Sequence, residues 1–357
     1  MNIAIDVSPL YSGHKDRGVG MYTKLLIEAL QKYEINHSYY FFTRGQKVPN
    51  DIELVHYPYF DPYFITLPFV FVKPTIITVH DLIPLVYPEH FPAGVRGALK
   101  WQYQRMQLKR AKRIIVDSQS SLRDIERIGG FPASLIDVIH LAASPEFRHI
   151  TDPRALARIK KQYHLPDRFI LYVGDVNWNK NIMGMLEAFQ KVKCSPRLSI
   201  GEAGQMSSVK LVLVGKAFLQ ESVEAHNING YITTHKLDNE IIKLGAIPLE
   251  DLVGIYNIAS VYLQPSFYEG FGLPVLEAMA CGVPVVSSRT SSLAEIAGPA
   301  ITVDSDNPQD IARGLLEALA MTPGKRKTLV NAQAKWAHQF SWEHVAHQTV
   351  ISYEKAR

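Results

Sequence analysis

Cysteine is scarce in this chain. Only Cys194 and Cys281 occur in 357 residues, far apart in sequence, so a disulfide-stapled secreted scaffold is excluded. Long hydrophobic runs are missing as well. The longest candidate, "YFITLPFVFV", is about half the ~20 apolar residues that a helical membrane span needs, and a proline interrupts it. The opening "MNIAIDVSPL" has no basic segment and reads as a strand, so no secretory signal is expected. Low-complexity tracts and short internal repeats are absent. With 47% hydrophobic and 20% charged residues the composition is globular, which excludes a disordered chain. A cytoplasmic location is expected.

Acidic residues are missing from one stretch in particular. "VRGALKWQYQRMQLKRAKR", residues 95–113, holds seven basic residues and no acidic one. The net charge is +4, but residues 1–165 carry 21 basic against 15 acidic residues and the remainder 17 against 19. The stretch reads either as a solvated helix face or as a surface for phosphates or an anionic membrane. No nucleic-acid-binding motif accompanies it, so nucleic acid is not expected as a partner. The nearby "YPYFDPYFITLPFVF" is unusually aromatic for a loop. Its two readings are core packing and an acceptor- or bilayer-contacting surface.

At this length two domains are expected. Short Val/Ile/Leu runs alternate with helical periods, as in parallel α/β units. "NIAIDV", "IELVHY", "TIITVH" and "RIIVDS" read as strands of a first series, with helices over 19–33, 95–112 and 119–128. "DPRALARIKKQYHL" reads as a helix leading out of the first domain. "FILYVG", "VKLVLVG", "IIKLGAI", "SVYLQPS", "PVVSS" and "AITVD" form a second strand series, with helices over 181–192, 249–258, 274–281 and 308–320. The expected fold class is α/β, two Rossmann-like doubly wound domains facing a central cleft, with ligands beyond the carboxyl ends of the strands. The boundaries expected are 1–162, 163–340 and a final helix in 341–357.

The polar candidates mostly follow strands. Gly18 and Gly20 follow the first, His80 ends "TIITVH", Lys180 follows "FILYV", Lys216 follows "VKLVLVG" and Glu269 follows "SVYLQPS". Within "SFYEGFGLPVLEAMACGVPVVSS", Glu277 lies among Val275, Leu276, Ala278 and Met279. Pro274 suits a first helical turn and Gly282 the position past the end, so this short apolar helix is expected to be buried. A carboxylate there needs hydrogen bonds or a partner. Either an Arg or Lys satisfies Glu277, or it awaits hydroxyl donors such as a ribose diol. Gly270 and Gly272 allow a tight turn and a close-lying ligand, and loop N–H groups can then donate to ligand oxygens. Lys180 and Lys216 together suit phosphate contacts. "VDSDNP" contains an Asp-x-Asp, but Asp306 or Asn307 as N-cap ahead of Pro308 explains it, so no metal is expected.

The Glu269–Glu277 spacing inside "PSFYEGFGLPVLEAMACGVPVV" resembles the retaining nucleotide-sugar glycosyltransferases of the GT-B fold, family 4. "DRGVGMYTKLL", "TVHDLIPL", "YVGDVNWNKN" and "LGAIPLEDLVGIYNIASV" resemble further segments of that family, and "FSWEHVAHQTVISYEKA" its final helix, so the likeness runs over most of the chain. It implies a C-terminal domain that binds the nucleotide sugar and an N-terminal domain that binds the acceptor. It implies that Glu277 holds the ribose, while Glu269 with the backbone of Phe271, Gly272 and Leu273 holds the donor sugar and phosphate. Lys180 would contact the diphosphate, His80 would face the reacting centre, and Gly20 would lie under the phosphates. Many members carry Arg-Lys where this chain has Asn179-Lys180, which leaves one phosphate cation missing or supplied from elsewhere, as by Lys216. "HDLIPL" and the glutamate block look most like mannosyltransferases of polysaccharide assembly. The implied activity is a cofactor-free hexosyltransferase moving mannose from GDP-mannose to a glycan or lipid-linked glycan, peripheral on the inner face of the membrane. A nucleotide-sugar epimerase of the same architecture and a non-catalytic nucleotide-sugar-binding subunit are the alternatives.

Overall fold

A computed structural model describes residues 1–13, 18–195 and 209–357. Asp16 and Arg17 of "DRGVGMYTKLL" lie outside the described residues. The chain divides into two compact units, Met1–Ala142 with Phe340–Arg357, and Ala143–Gln339.

The first unit holds six parallel strands: β1 (Asn2–Asp6), β2 (Ser38–Phe42), β3 (Leu54–Tyr57), β4 (Thr75–Val79), β5 (Arg113–Val116) and β6 (Ile136–Val138). Their order is β2-β1-β3-β4-β5-β6. The second holds β7 (Phe169–Val173), β8 (Lys210–Val214), β9 (Ile241–Gly245), β10 (Val261–Gln264), β11 (Val285–Ser288) and β12 (Ile301–Val303), ordered β12-β11-β10-β7-β8-β9 and likewise parallel. Each unit is a doubly wound sheet. β3, β4, β5 and β10 are buried at every position, because helices cover both faces of a parallel sheet. Each Val, Ile or Leu so buried contributes about 1.5–3 kcal/mol of transfer free energy.

Two strands, two long helices and the single-turn helices Ile83–Val86 and Leu293–Ile296 are not legible in the hydrophobic pattern. β2 alternates exposed and half-buried residues at a sheet edge. β6 is a three-residue edge strand with an aspartate in it. The Val223–Thr234 helix contains Asn, Gly and Thr, poor helix formers, and is nucleated by the Ser222 cap. The Pro323–Ala337 helix has little apolar face and starts on a Thr322 cap.

The boundary also differs from the expected one. The Pro153–Gln162 helix belongs to the second unit, packed on the Leu249–Ile258 helix. Ile159 fills the space above Gly254, where an added Cβ would lie 2.1 Å from Ile159 Cδ1. Asp251 accepts from Tyr163 Oη at 2.6 Å and from Gln162 Nε2 at 3.0 Å. The Trp342–Ala356 helix belongs to the first unit, where Tyr353 Oη bonds His56 Nδ1 at 2.8 Å and Ser352 Oγ donates to Asp137 at 2.7 Å.

Candidate functional site

In the second sheet the strand order reverses between β7 and β10, which lie side by side. The chain leaves these neighbours in opposite directions and opens a crevice at their carboxyl ends, where open α/β sheets hold ligands. The turn after β7 carries Lys180 and the turn after β10 carries Glu269. Lys180 Nζ lies 2.8 Å from Glu269 Oε1 and 2.7 Å from Oε2. Glu269 is buried, and its Oε1 also accepts from Gln264 Nε2 at 2.8 Å and Ser266 Oγ at 2.7 Å. Both glutamate oxygens are therefore spoken for, and this carboxylate is a fixed structural anion as well as a candidate ligand group.

The two turns are stapled together. Trp178 stacks on Phe267 with centroids 5.0 Å apart. Asn179 is buried, donates through Nδ2 to Tyr268 O at 2.9 Å and accepts at its backbone oxygen from Phe267 N at 2.8 Å. Asn181, at positive φ, donates to Pro265 O and Ser305 O at 3.0 and 2.7 Å while capping the helix Ile182–Lys193. Asn179 thus has an internal tethering task in the position where an arginine would reach outward. Lys216 is exposed in the turn after β8. Among the described residues it makes no hydrogen bond or ion pair with Lys180 or Glu269.

Glu277 sits in the helix Leu273–Ala280, whose N-cap Gly272 has φ +109°. Gly270, Phe271 and Gly272 are buried and Leu273 is half-buried. Glu269 N donates to Ser291 Oγ at 2.8 Å, and Ser292 Oγ donates to Glu269 O and Phe271 O at 2.9 and 2.8 Å, so the glycine turn has a fixed shape. Glu277 Oε2 accepts from Tyr256 Oη at 3.0 Å. No Arg or Lys pairs with it among the described residues. Burial pushes its carboxyl up to about 7, against which the Tyr256 hydrogen bond works. A half-buried carboxylate without a cation can take hydroxyl donors from a ligand.

In the first unit Gly18 and Gly20 open the Gly18–Tyr33 helix and lie in its first turn. Gly18 is exposed and Gly20 buried. His80 follows β4, and its Nδ1 lies 2.6 Å from Oδ2 of the buried Asp117, which follows the adjacent β5. Burial opposes protonation of His80, but Asp117, helped by Asp81 and Pro58 O, outweighs it and raises the imidazole above its ordinary value.

Of the two cap candidates beside the Asp-x-Asp, Asn307 and not Asp306 caps the Pro308–Leu319 helix. Asn307 Oδ1 accepts from Gln309 N and Asp310 N at 3.0 and 3.3 Å, and Asp304 Oδ1 accepts from Asp306 N at 3.0 Å. Among the described residues no three His, Cys, Asp or Glu side chains group as metal ligands.

Asp117, Asn179, Tyr256, Gln264, Ser266 and Ser291 escape motif reading. The signal for several was present, since "LQPS" and "SSRTSS" put unusual hydroxyl and amide density just beyond buried strands.

Two family descriptions match the chain, "Glycosyl transferases group 1" over residues 155–336 and "Glycosyltransferase Family 4" over residues 46–147. It is 33% identical over 286 residues to O-antigen chain mannosyltransferase B of Escherichia coli, spanning 78% of this chain and 70% of that protein. It is 28% identical over 284 residues to the serotype-specific mannosyltransferase WbdA of Escherichia coli, 79% of this chain but only 33% of that protein's length. The Anabaena Alr3699/HepE structure with UDP and glucose superposes with a TM-score of 0.74 at 18% identity, covering 99% of each chain, which speaks to the fold, the two-domain GT-B arrangement of doubly wound sheets. With the group 1 description spanning more than half of its length and a one-third-identical relative covering most of it, the chain belongs to the glycosyltransferases of group 1.

Proposed function

We propose that this glycosyltransferase moves mannose from GDP-mannose, with retention at the anomeric carbon, to a hydroxyl of a glycan or lipid-linked glycan in polysaccharide assembly. The observation that carries the reading is Glu277, a half-buried carboxylate that among the described residues has one hydroxyl partner and no cation, on the helix that follows the turn carrying Glu269 of the Lys180–Glu269 pair at the β7/β10 switch. Glu277 would hold the ribose. Lys180 would turn from Glu269 to the diphosphate, and Glu269 with the turn Gly270–Leu273 would hold the sugar. Charge builds on the leaving diphosphate, so fixed cations and N–H dipoles there lower the barrier. The relatives named as mannosyltransferases support the sugar. The first unit would hold the acceptor, with His80 assigned to the reacting centre and Gly18 and Gly20 at a helix start suited to anions.

A peripheral contact with an anionic membrane belongs to this reading. No described helix is long and apolar enough to cross a membrane. The aromatic segment and the basic stretch pack together in the first unit. Lys100 lies 5.1 Å over the Phe64 ring, Arg110 5.7 Å over Phe71, and Arg110 Nη1 donates to Phe69 O at 3.2 Å. Phe69, Val70, Val72 and Leu99 are each more than 60% exposed beside them. Exposed apolar side chains rimmed by cations suit an anionic interface.

Thermal-shift measurements with GDP, UDP and ADP test the donor. GDP should raise the melting temperature most, by linkage to the folded state, and a larger shift with UDP or ADP would replace the guanine assignment. Donor turnover without any acceptor would favour the epimerase, and nucleotide binding without turnover the binding subunit.

A further inference from the structure

His80 is faced by acceptors on both sides. Its Nδ1 lies 2.6 Å from Asp117 Oδ2 and its Nε2 lies 3.3 Å from Pro58 O. A carboxylate and a peptide carbonyl accept hydrogen bonds and donate none, so only the doubly protonated ring satisfies both. We propose that Asp117 is a positioning residue that holds His80 as an imidazolium, so that His80 serves the transfer as a fixed cation and is barred from acting as a general base. The inference rests on the assignment of His80 to the reacting centre made above.

The surroundings favour this state. Asp117 is 2% exposed and its Oδ1 has no partner among the described residues, so there the carboxylate's charge is not shared with another donor. From the Gly18–Tyr33 helix, the Tyr22 ring meets His80 edge-on at 4.6 Å, and its hydroxyl, bonded to Thr78 Oγ1 at 3.1 Å, is held neutral by burial. From β3, His56 is bonded on both nitrogens, to Tyr353 Oη and Thr78 Oγ1, and burial depresses it to about 3, so it stays uncharged. From the helix Gln119–Asp124, Ser121 Oγ donates to His80 O at 2.8 Å and fixes the backbone. On its own loop, Asp81 adds a second negative charge. Among the described residues the charged groups facing the ring are therefore both acidic.

The consequence for the chemistry is a division of labour. As the bond from the anomeric carbon to the donor oxygen breaks, its electron pair leaves with the diphosphate. The acceptor oxygen takes its place on the same carbon and loses its proton. An imidazolium has no lone pair to receive that proton, so it passes to an oxygen of the departing diphosphate, which is present in every turnover.

The test is the protonation of His80 in the ligand-free full chain, followed by NMR of the histidine ring protons from pH 5 to 10. The His80 signal is assigned by its loss in His80→Gln. The wild-type midpoint should lie above the ordinary value of about 6.5, and in Asp117→Asn it should fall by about 1–3 pH units, as expected when an adjacent opposite charge is removed. With mannosyl transfer as readout, kcat should decline as pH rises through the wild-type midpoint, and in Asp117→Asn the decline should move to lower pH with the donor KM little changed. A His80 already neutral at pH 7 in the wild type, or a kcat that rises through its midpoint, overturns the proposal. If Asp117→Asn does not fold, Asp117→Glu, which keeps the charge, should keep the raised midpoint, and a lowered one counts against it. The NMR arm uses no donor, so an error in the assigned sugar would leave that result standing.

Discussion

Glu269 and Glu277 lie eight positions apart and are satisfied in opposite ways. Glu269 has a lysine, an amide and a hydroxyl, whereas among the described residues Glu277 has Tyr256 alone. Its carboxyl is raised to about 7 in the folded chain from 4.5. A carboxyl raised by folding holds its proton more tightly in the native state, so its contribution to stability is present at low pH and lost as pH rises from about 4.5 through 7. Glu277→Gln should therefore melt higher than wild type at pH 8 and nearly equal to it at pH 5. Glu277→Ala should weaken nucleotide binding by about 1–3 kcal/mol, the cost of losing hydrogen bonds to a charged acceptor. Calorimetric titration with the nucleotide decides the second point, and equal affinities would remove the ribose assignment.

The strand–turn–helix unit from β10 to Ala280 shows what an element contributes. The turn must reverse within three residues, and Gly272 does so at φ +109°. An added Cβ would lie 2.6 Å from Leu293 Cδ2. Leu293 can shift its end, but the left-handed backbone remains costly for any L side chain. Gly272→Ala should lower stability by about 1–3 kcal/mol, and Leu293→Ala on that background should not restore it. Recovery of the melting temperature in the double variant would show that the contact, and not the backbone, sets the cost.

Across the whole molecule, both sheets place polar turns at strand carboxyl ends, and the surface charge is spread unevenly. Arg113 belongs to the basic stretch in sequence but not to the basic surface. It is buried on β5, with Nε and Nη2 donating to Asp137 at 2.6 and 3.0 Å. Arg96, Lys109, Arg110 and Lys112 are the exposed cations. Replacing these four with glutamine should sharply reduce sedimentation with anionic vesicles at low salt, each being worth on the order of 1 kcal/mol near such a surface. Nucleotide binding should be unchanged. Wild-type binding should also fade toward molar salt, where the screening length is about 3 Å. A wild type that ignores anionic vesicles would make the stretch a solvated face and point to a soluble acceptor.

Sequence by itself determined the α/β class, most buried strands and the glutamate block. Continuous apolar runs such as "TIITV" and "FILYV" have only one economical place, inside a parallel sheet covered on both faces, and glycine, proline and cap residues mark the turns between them. It did not determine what edges and turns do. β2 and β6 are held by pairing to β1 and β5 and not by their own pattern, and Pro153–Gln162 joins the second unit because Gly254 leaves room for Ile159. Lys180 and Glu269, 89 positions apart, meet because β7 and β10 are neighbours at the reversal of strand order. His80 and Asp117, 37 apart, meet because β4 pairs with β5. Hydrophobic periodicity reports which face of an element is buried, a local property of the chain. Which polar ends then stand together follows from strand order, and that is settled only when the sheets assemble.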